Sequence, residues 1–142
     1  MAKSERQFLE MGRLAARTAD DHKAVDIVFV DLRRISSVTD YLVLMSAESS
    51  PHLSALADYI EEAVDLKYDI HPLHRDGRQS PQWRVVDYGG LVVHVMSPDA
   101  RSFYGLERLW DKARPLAWSP ARPPAAHRAA RPRKPRRKTR SR

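Results

Sequence analysis

The chain of 142 residues contains no cysteine and no apolar run near the roughly 20 residues that a transmembrane helix needs. The missing thiols exclude disulfides, thiolate zinc sites and cysteine nucleophiles, and they fit a reducing compartment. The first residues form no apolar signal core and include acidic side chains, which argues against a secretion or transit peptide. We therefore expect a soluble cytoplasmic protein.

Acidic residues are absent from the C-terminal part of the chain. Residues 117–142 contain ten Lys or Arg, five Pro and no Asp or Glu. Such a composition cannot bury enough apolar surface to offset the entropy of ordering. Without these ten charges, residues 1–116 have a net charge of −3, against +7 for the whole chain. The sequence thus predicts one domain, residues 1–116, followed by a disordered basic tail, residues 117–142.

Three segments have apolar residues at helical spacing. The first helix is predicted over about residues 5–18. The second is predicted over residues 49–67, where Pro51 suits the first turn and an apolar stripe lies opposite acidic residues. The third begins at Ser97. Its predicted buried side comprises Ala100, Phe103, Leu106, Leu109 and Trp110.

Extended patterns separate these helices. Strands are predicted at residues 25–32 and 41–46, the second apolar almost throughout and therefore buried on both faces. A short strand is predicted at residues 70–73, and a hairpin at residues 83–96. We expect an α/β fold in which a mixed sheet of about five strands is flanked by helices.

The hairpin carries polar and aromatic residues among its valines. Its two glycines tolerate the positive φ of a tight turn, so the loop is either Tyr88-Gly89 or Gly89-Gly90. In both registers odd positions pair with even ones. The better core face comprises Arg84, Val86, Leu91, Val93 and Val95. The other face comprises Trp83, Val85, Asp87, Val92, His94 and Met96. We interpret this mixed face as a binding surface, with Trp83 and the turn residue Tyr88 as aromatic anchors.

The sequence lacks the motifs of common enzymes and metal sites. It contains no His-Glu-x-x-His pair, no glycine-rich phosphate loop and no Gly-x-Ser-x-Gly element. His71 and His74 could contact one ligand, although two loop histidines without a third are more often solvated. Ser49 and Ser50 suit helix capping better than nucleophilic catalysis. No cofactor or metal is predicted.

Three aspartates offer the remaining route to an enzyme. Asp31, Asp40 and Asp87 lie near predicted strand ends, where the carboxylates of nucleotidyl transfer enzymes hold magnesium. The simpler interpretation is that they accept hydrogen bonds from nearby backbone amides in turns. A nucleotidyltransferase is therefore an alternative function.

Several separate motifs occur in an order that resembles one family. They are Asp31-Leu, Ser36-Ser-x-Thr-Asp-Tyr41, Ser49-Ser-x-His52, Ala57-Asp58, Trp83-x-Val-Val-Asp-Tyr-Gly89, Val92-Val-His94 and Tyr104-x-Leu-Glu-x-Leu-Trp110. Over residues 8–112 this succession is similar to the ribosomal silencing factor family, also called the Iojap family.

The resemblance implies a compact α/β protein that binds ribosomal protein uL14 on the large ribosomal subunit. It would there block joining of the small subunit and so repress translation when nutrients are scarce. The resemblance also implies a fold similar to that of nucleotidyltransferases but without their catalytic motif, no enzymatic activity, and a homodimer when the protein is free. Carried over by position, the uL14-binding surface falls on Trp83, Asp87, Tyr88 and Gly89.

Two places depart from the family pattern. Gly90 stands where relatives often have an acidic residue, which could relax the turn and remove a charge that pairs with a basic partner. Ala47-Glu48 replaces the small Gly-Thr-like pair that often precedes the two serines. Both departures concern individual contacts more than the fold.

The basic tail lies outside the resemblance. Its Lys and Arg side chains can neutralise phosphates without recognising sequence, so we expect it to contact ribosomal RNA. The predicted contact residues are Arg131, Arg133, Lys134, Arg136, Arg137 and Lys138. An RNA-binding or ribosome assembly module that acts through this tail is a second alternative function.

Overall fold

Residues 3–119 are described by a computed structural model that contains helices on both faces of one sheet. The helices are α1 (Lys3–Asp21), α2 (Ser50–Tyr68) and α3 (Pro98–Tyr104), with a 3-10 helix at Leu106–Trp110. The strands are β1 (Val25–Asp31), β2 (Tyr41–Ser46), β3 (His74–Asp76), β4 (Trp83–Asp87), β5 (Leu91–Met96) and β6 (Arg114–Pro115). The predicted α/β class is confirmed, and the sheet has six strands.

The strand order in the sheet is β3-β4-β5-β2-β1-β6. Strands β2 and β5 pair in parallel, and the other neighbouring strands are antiparallel. Parallel neighbours need a long connection, and here it contains α2, β3 and β4. The hairpin of β4 and β5 therefore lies directly beside β2, whose six residues are all buried as predicted.

Helices α1 and α2 pack on one side of the sheet, which we call the helix-covered face. Ser49 caps α2 because its side chain accepts a hydrogen bond from the backbone N of His52 at 3.1 Å. The capping role predicted for Ser49 is confirmed. The apolar stripe of α2 is buried against the sheet, and each large side chain in it contributes about 1.5–3 kcal/mol. These residues are Leu53, Leu56, Ala57, Ile60 and Val64.

The hairpin has the Gly89-Gly90 loop. The backbone N of Tyr88 donates to the carbonyl of Leu91 at 2.8 Å, and Val85 lies opposite His94. Gly89 has a φ of +92°, typical of the first loop residue in a type II′ turn. The predicted faces are confirmed: the core face lies under the helices. The opposite side of the hairpin is called the open face, and its residues are Trp83, Val85, Asp87, Val92, His94 and Met96.

The short strand predicted at residues 70–73 is misplaced, since β3 occupies His74–Asp76. Pro72 has no backbone N–H and cannot donate within a ladder. Pairing with β4 accordingly starts one residue later, where the N of Leu73 donates to the carbonyl of Asp87 at 2.7 Å. All three β3 residues are exposed, as expected for an edge strand.

The prediction that Phe103 is buried is also wrong, because its side chain is 80% exposed. Ser97 begins α3 as expected, accepting a hydrogen bond from the N of Ala100 at 3.0 Å. The helix then ends after seven residues at Gly105, whose φ of +55° stops it in the left-handed region. The helical spacing that aligned Phe103 with Leu106 therefore does not continue.

The last described residues belong to the fold. Strand β6, which the sequence did not predict, pairs with β1, and Trp118 is 7% exposed within the core under the helices. Residues 117–119, assigned to the tail from composition, are therefore part of the described structure, and the rest of the tail lies outside it. No helix among residues 3–119 is long and apolar enough to cross a membrane.

Candidate functional site

The open face is covered unevenly. Beside β1 and β2 it packs against α3 and the 3-10 helix, and Leu42, Leu44 and Met96 are buried there with Ala100. Along the hairpin, α3 and the 3-10 helix bury none of the described side chains of this face fully except Met96, and the others are half-buried. These side chains are Trp83, Val85, Asp87, Val92 and His94. The described part of the sheet therefore has a partly exposed strip of mixed apolar and polar character along the hairpin.

Trp83 is held in one orientation between this strip and helix α3. Its Nε1–H donates to Nδ1 of His94 at 3.0 Å, and its ring centroid lies 4.8 Å from that of Tyr104. The hydrogen bond runs diagonally, because Trp83 pairs with Met96 and His94 is two residues earlier in β5. A fixed aromatic ring loses little conformational entropy on binding, which suits an interface anchor.

An open groove of about 470 Å³ lies beside Trp83, between the start of β4 and helix α3. Phe103 and Tyr104, which are 80% and 55% exposed, form its aromatic wall and pack edge to face with centroids 4.9 Å apart. The sequence patterns did not indicate that either residue is exposed. For Tyr104 an indication of exposure was available, because it belongs to a family motif but not to the predicted buried side of the third helix.

Asp87 and Gly89 act together at the turn. Oδ1 of Asp87 accepts a hydrogen bond from the backbone N of Gly89 at 2.7 Å, which fixes the turn. Asp87 is half-buried and lies on the open face, as Trp83 does. Trp83 is at the start of β4, whereas Asp87 and Gly89 are at the turn end of the hairpin.

Tyr88 is not part of this surface. Its side chain is 4% exposed and belongs to the core under α1 and α2. The reason is the register: with Gly89-Gly90 as the loop, Tyr88 is paired with Leu91, and alternation turns it to the helix-covered face. Its Oη is buried without a hydrogen-bond partner among the described residues. Burial raises the pKa of this phenol. The assignment of Tyr88 as an anchor is therefore corrected.

Gly90 is explained by close packing. A β-carbon built at this position would lie 2.2 Å from Cδ2 of Phe8 in α1, well inside van der Waals contact. Glycine lets the first part of α1 approach the hairpin turn. The ring of Phe8 on the neighbouring helix therefore accounts for glycine at this position.

His94 is neutral at physiological pH. Partial burial of the imidazole lowers its pKa to about 4, and the Asp87 carboxylate offsets only part of this effect. Because Nδ1 accepts the Trp83 hydrogen bond, the neutral ring carries its proton on Nε2. Protonation at Nδ1 would remove that acceptor and release the indole.

Acidification should therefore destabilise the domain through His94. The unfolded chain binds this proton near pH 6.5 and the folded chain only near 4, so stability is complete above 6.5 and falls as pH decreases between these values. Between pH 7 and pH 5 the natural chain should lose about 2 kcal/mol more of its free energy of unfolding than His94→Gln does. Urea unfolding of both proteins at the two pH values measures this difference, and parallel losses in both would contradict it.

The three aspartates do not converge on one metal position. Strands β5 and β2 separate Asp87 from Asp31, which at about 4.8 Å per strand puts them about 14 Å apart. Asp31 is bound by the Arg33 guanidinium through hydrogen bonds of 2.9 and 2.8 Å. Burial raises the pKa of Asp31, but Arg33 lowers it overall. For Asp40, burial and the Glu5 carboxylate raise the pKa.

His52 has a structural role, because both of its ring nitrogens form hydrogen bonds with the backbone. Nδ1 of His52 accepts from the backbone N of Glu48 at 2.9 Å, and its Nε2 donates to the carbonyl of His22 at 2.8 Å. His52 thereby ties the Ala47-Glu48 turn to the end of α1. His71 lies beside exposed Asp65 and Asp69, and His74 is not in that group.

A family model described as ribosomal silencing factor during starvation matches residues 4–142 of this chain. The chain belongs to the ribosomal silencing factor family. Within this family, a Bacillus subtilis ribosomal silencing factor is 38% identical over 105 residues, which cover 74% of this chain and 87% of the relative. A Haemophilus influenzae ribosomal silencing factor is 39% identical over 93 residues, covering 66% of this chain and 90% of the relative.

The fold is also shared. The crystal structure of a Chromobacterium violaceum protein superposes with a TM-score of 0.69 at 29% identity, covering 72% of this chain and 85% of the other. The ribosomal silencing factor family is named for a regulatory role. The six basic residues of the tail that were predicted to contact RNA, Arg131 to Lys138, lie outside the described residues.

Proposed function

We propose that this protein binds ribosomal protein uL14 on the large ribosomal subunit and sterically prevents the small subunit from joining. Translation would be repressed in this way when nutrients are scarce, in the cytoplasm and without catalysis. The observation that carries the proposal is the half-buried hairpin face of the described structure, where Trp83 lies beside the groove formed by Phe103 and Tyr104.

The chemistry of this face suits a protein partner. Large aromatic side chains such as Trp and Tyr are among the residues that most often concentrate binding energy. Asp87 supplies a carboxylate at the turn, and Asp99 adds another at the rim of the groove. An apolar centre with an acidic rim fits a partner whose own apolar patch is surrounded by basic residues.

A homodimer is the second part of the proposal. The same uncovered strip would be shielded from water if two copies paired through their open faces, in an isologous contact. Pairing and uL14 binding would then use the same residues. Excess uL14 should convert the dimer into a one-to-one complex, which size-exclusion chromatography with light scattering can measure.

Sedimentation of mixed ribosomal subunits tests the proposed function. With the protein present, joined ribosomes should decrease and the protein should appear in the large-subunit fraction. Undiminished joining, with protein spread over both subunits, would contradict steric silencing and favour the tail-driven RNA-binding alternative.

The basic tail should add a salt-sensitive contact with ribosomal RNA. A truncation after Ser119 removes ten cationic side chains and keeps buried Trp118 in the core. We expect weaker binding to the large subunit and a flatter dependence of log K on log salt, because fewer counterions are released. Binding measured at several salt concentrations checks this, and an unchanged slope would exclude the tail from the contact.

A further inference from the structure

The groove beside Trp83 combines aromatic rings with a carboxylate. Its lining residues are Ser80, Gln82, Trp83, Asp99, Ala100, Phe103 and Tyr104. Among these described residues Asp99 alone is charged, so the lining has a formal charge of −1. The faces of aromatic rings attract cations electrostatically, and a carboxylate beside them adds to this attraction. The groove is therefore suited to a cation rather than to an anion.

Trp83 extends the aromatic wall that Phe103 and Tyr104 form. The ring centroids of Trp83 and Tyr104 are 4.8 Å apart, with 48° between the ring planes. Phe103 meets Tyr104 edge to face, at a centroid distance of 4.9 Å and an angle of 88°. The indole is also fixed by its hydrogen bond of 3.0 Å to His94. A side chain that enters the groove thus meets rings whose positions are already set, which limits the entropy lost on binding.

The carboxylate of Asp99 is available to such a cation. Asp99 is exposed, and within residues 3–119 it forms no salt bridge of 4.0 Å or less. It lies four residues before Phe103 in α3, so the two side chains are on the same side of this helix. The amide of Gln82 is engaged instead, because its Oε1 accepts a hydrogen bond from Ser97 at 2.5 Å. The charge and the aromatic wall can therefore act on one ligand.

We propose that the groove binds an arginine side chain of the ribosomal protein partner, with the guanidinium against the aromatic wall and paired with Asp99. A guanidinium is planar, stacks on aromatic rings and forms two parallel hydrogen bonds with a carboxylate. An ammonium is a compact, strongly hydrated charge, so lysine is the weaker ligand. The identity of the partner rests on the proposed function, and the inference adds the chemical group that this part of the surface recognises.

Nuclear magnetic resonance of the full chain with N-acetylarginine amide tests the groove without the ribosome. At millimolar concentration this probe should shift the indole N–H resonance of Trp83, which is identified by its loss in Trp83→Phe. The citrulline analogue has nearly the same shape but no charge, and it should leave the resonance in place. The absence of a shift with the arginine probe, or an equal shift with citrulline, would overturn the proposal.

Binding to the large ribosomal subunit tests whether the partner uses the groove. Asp99→Asn and Phe103→Leu should each lower affinity about fivefold, because the first removes the charge and the second removes a π face but keeps apolar bulk. Glu62→Gln is the matched control, since it neutralises one exposed carboxylate on α2, and it should change affinity by less than about twofold.

The outcomes separate the groove from the proposed function. Undiminished subunit binding by both groove variants would overturn the arginine site and leave steric silencing intact. Equal losses in Asp99→Asn and Glu62→Gln would also overturn it, since only overall charge would then matter. If the natural chain did not bind the large subunit, the proposed function would fail, and the arginine probe would still decide whether the groove holds a guanidinium.

Discussion

Replacing Trp83 by Ala should weaken binding to the large ribosomal subunit about 30- to 1000-fold, the usual cost of about 2–4 kcal/mol for removing a central aromatic anchor. The change removes the ring that contacts Tyr104 and the donor that holds His94. The domain should stay folded, because the principal core lies on the other side of the sheet. Subunit sedimentation gives the affinity, and circular dichroism gives the folded fraction.

Tyr59→Ala is the matched control for this variant. Tyr59 is also a partly exposed aromatic residue, 41% accessible, and it stacks on His22 with centroids 3.7 Å apart. It lies on α2, away from the open face, so its removal should leave subunit binding within about twofold. Full anti-association activity in folded Trp83→Ala protein would rule out the proposed surface.

Tyr88→Ala should lower the free energy of unfolding by about 3–5 kcal/mol, as expected when a large aromatic side chain is removed from a core. Tyr88→Phe should be as stable as the natural chain or about 1 kcal/mol more stable. The reason is that the buried Oη has no partner among residues 3–119, so removing it breaks no hydrogen bond there and ends a desolvation cost. Urea denaturation of the three proteins measures both differences.

The variants Tyr88→Ala and Tyr88→Phe also distinguish a core role of Tyr88 from an interface role. A residue that anchors a partner through its hydroxyl would lose ribosome binding in Tyr88→Phe without a change in stability. We expect the opposite, with large-subunit binding preserved in this variant. If stable Tyr88→Phe protein bound the large subunit more weakly, Tyr88 would have to be assigned to the interface again.

The sequence predicted the α/β class, α2 with its cap and the two faces of the hairpin, because these depend on local periodicity and on glycine geometry. It did not decide between two hairpin registers. The register determines the position of Tyr88, and in the observed register Gly90 packs against Phe8 of α1. Local patterns carry no information about such distant neighbours.

Errors at β3, α3 and the domain boundary have similar origins. Pro72 shifted the strand by removing a donor, and Gly105 ended a helix that apolar spacing seemed to continue. Trp118 was assigned to the tail because the segment from residue 117 is rich in basic residues and proline, although its side chain is buried in the core under α1 and α2. The groove beside Trp83 required α3 and β4 to be placed together, which no single segment specifies.

The sequence distances between paired strands have a consequence for folding. The Trp83–His94 hydrogen bond and the Tyr88–Leu91 bond at the turn lie within one hairpin, whereas Tyr41 pairs with Leu91 and β6 pairs with the distant β1. Closing a long loop costs more entropy than closing a short one, so local pairings are favoured early. In kinetic terms, the proposed binding face should assemble before the sheet closes at β6, and the backbone amides of β6 should be among the first to exchange when the native protein opens.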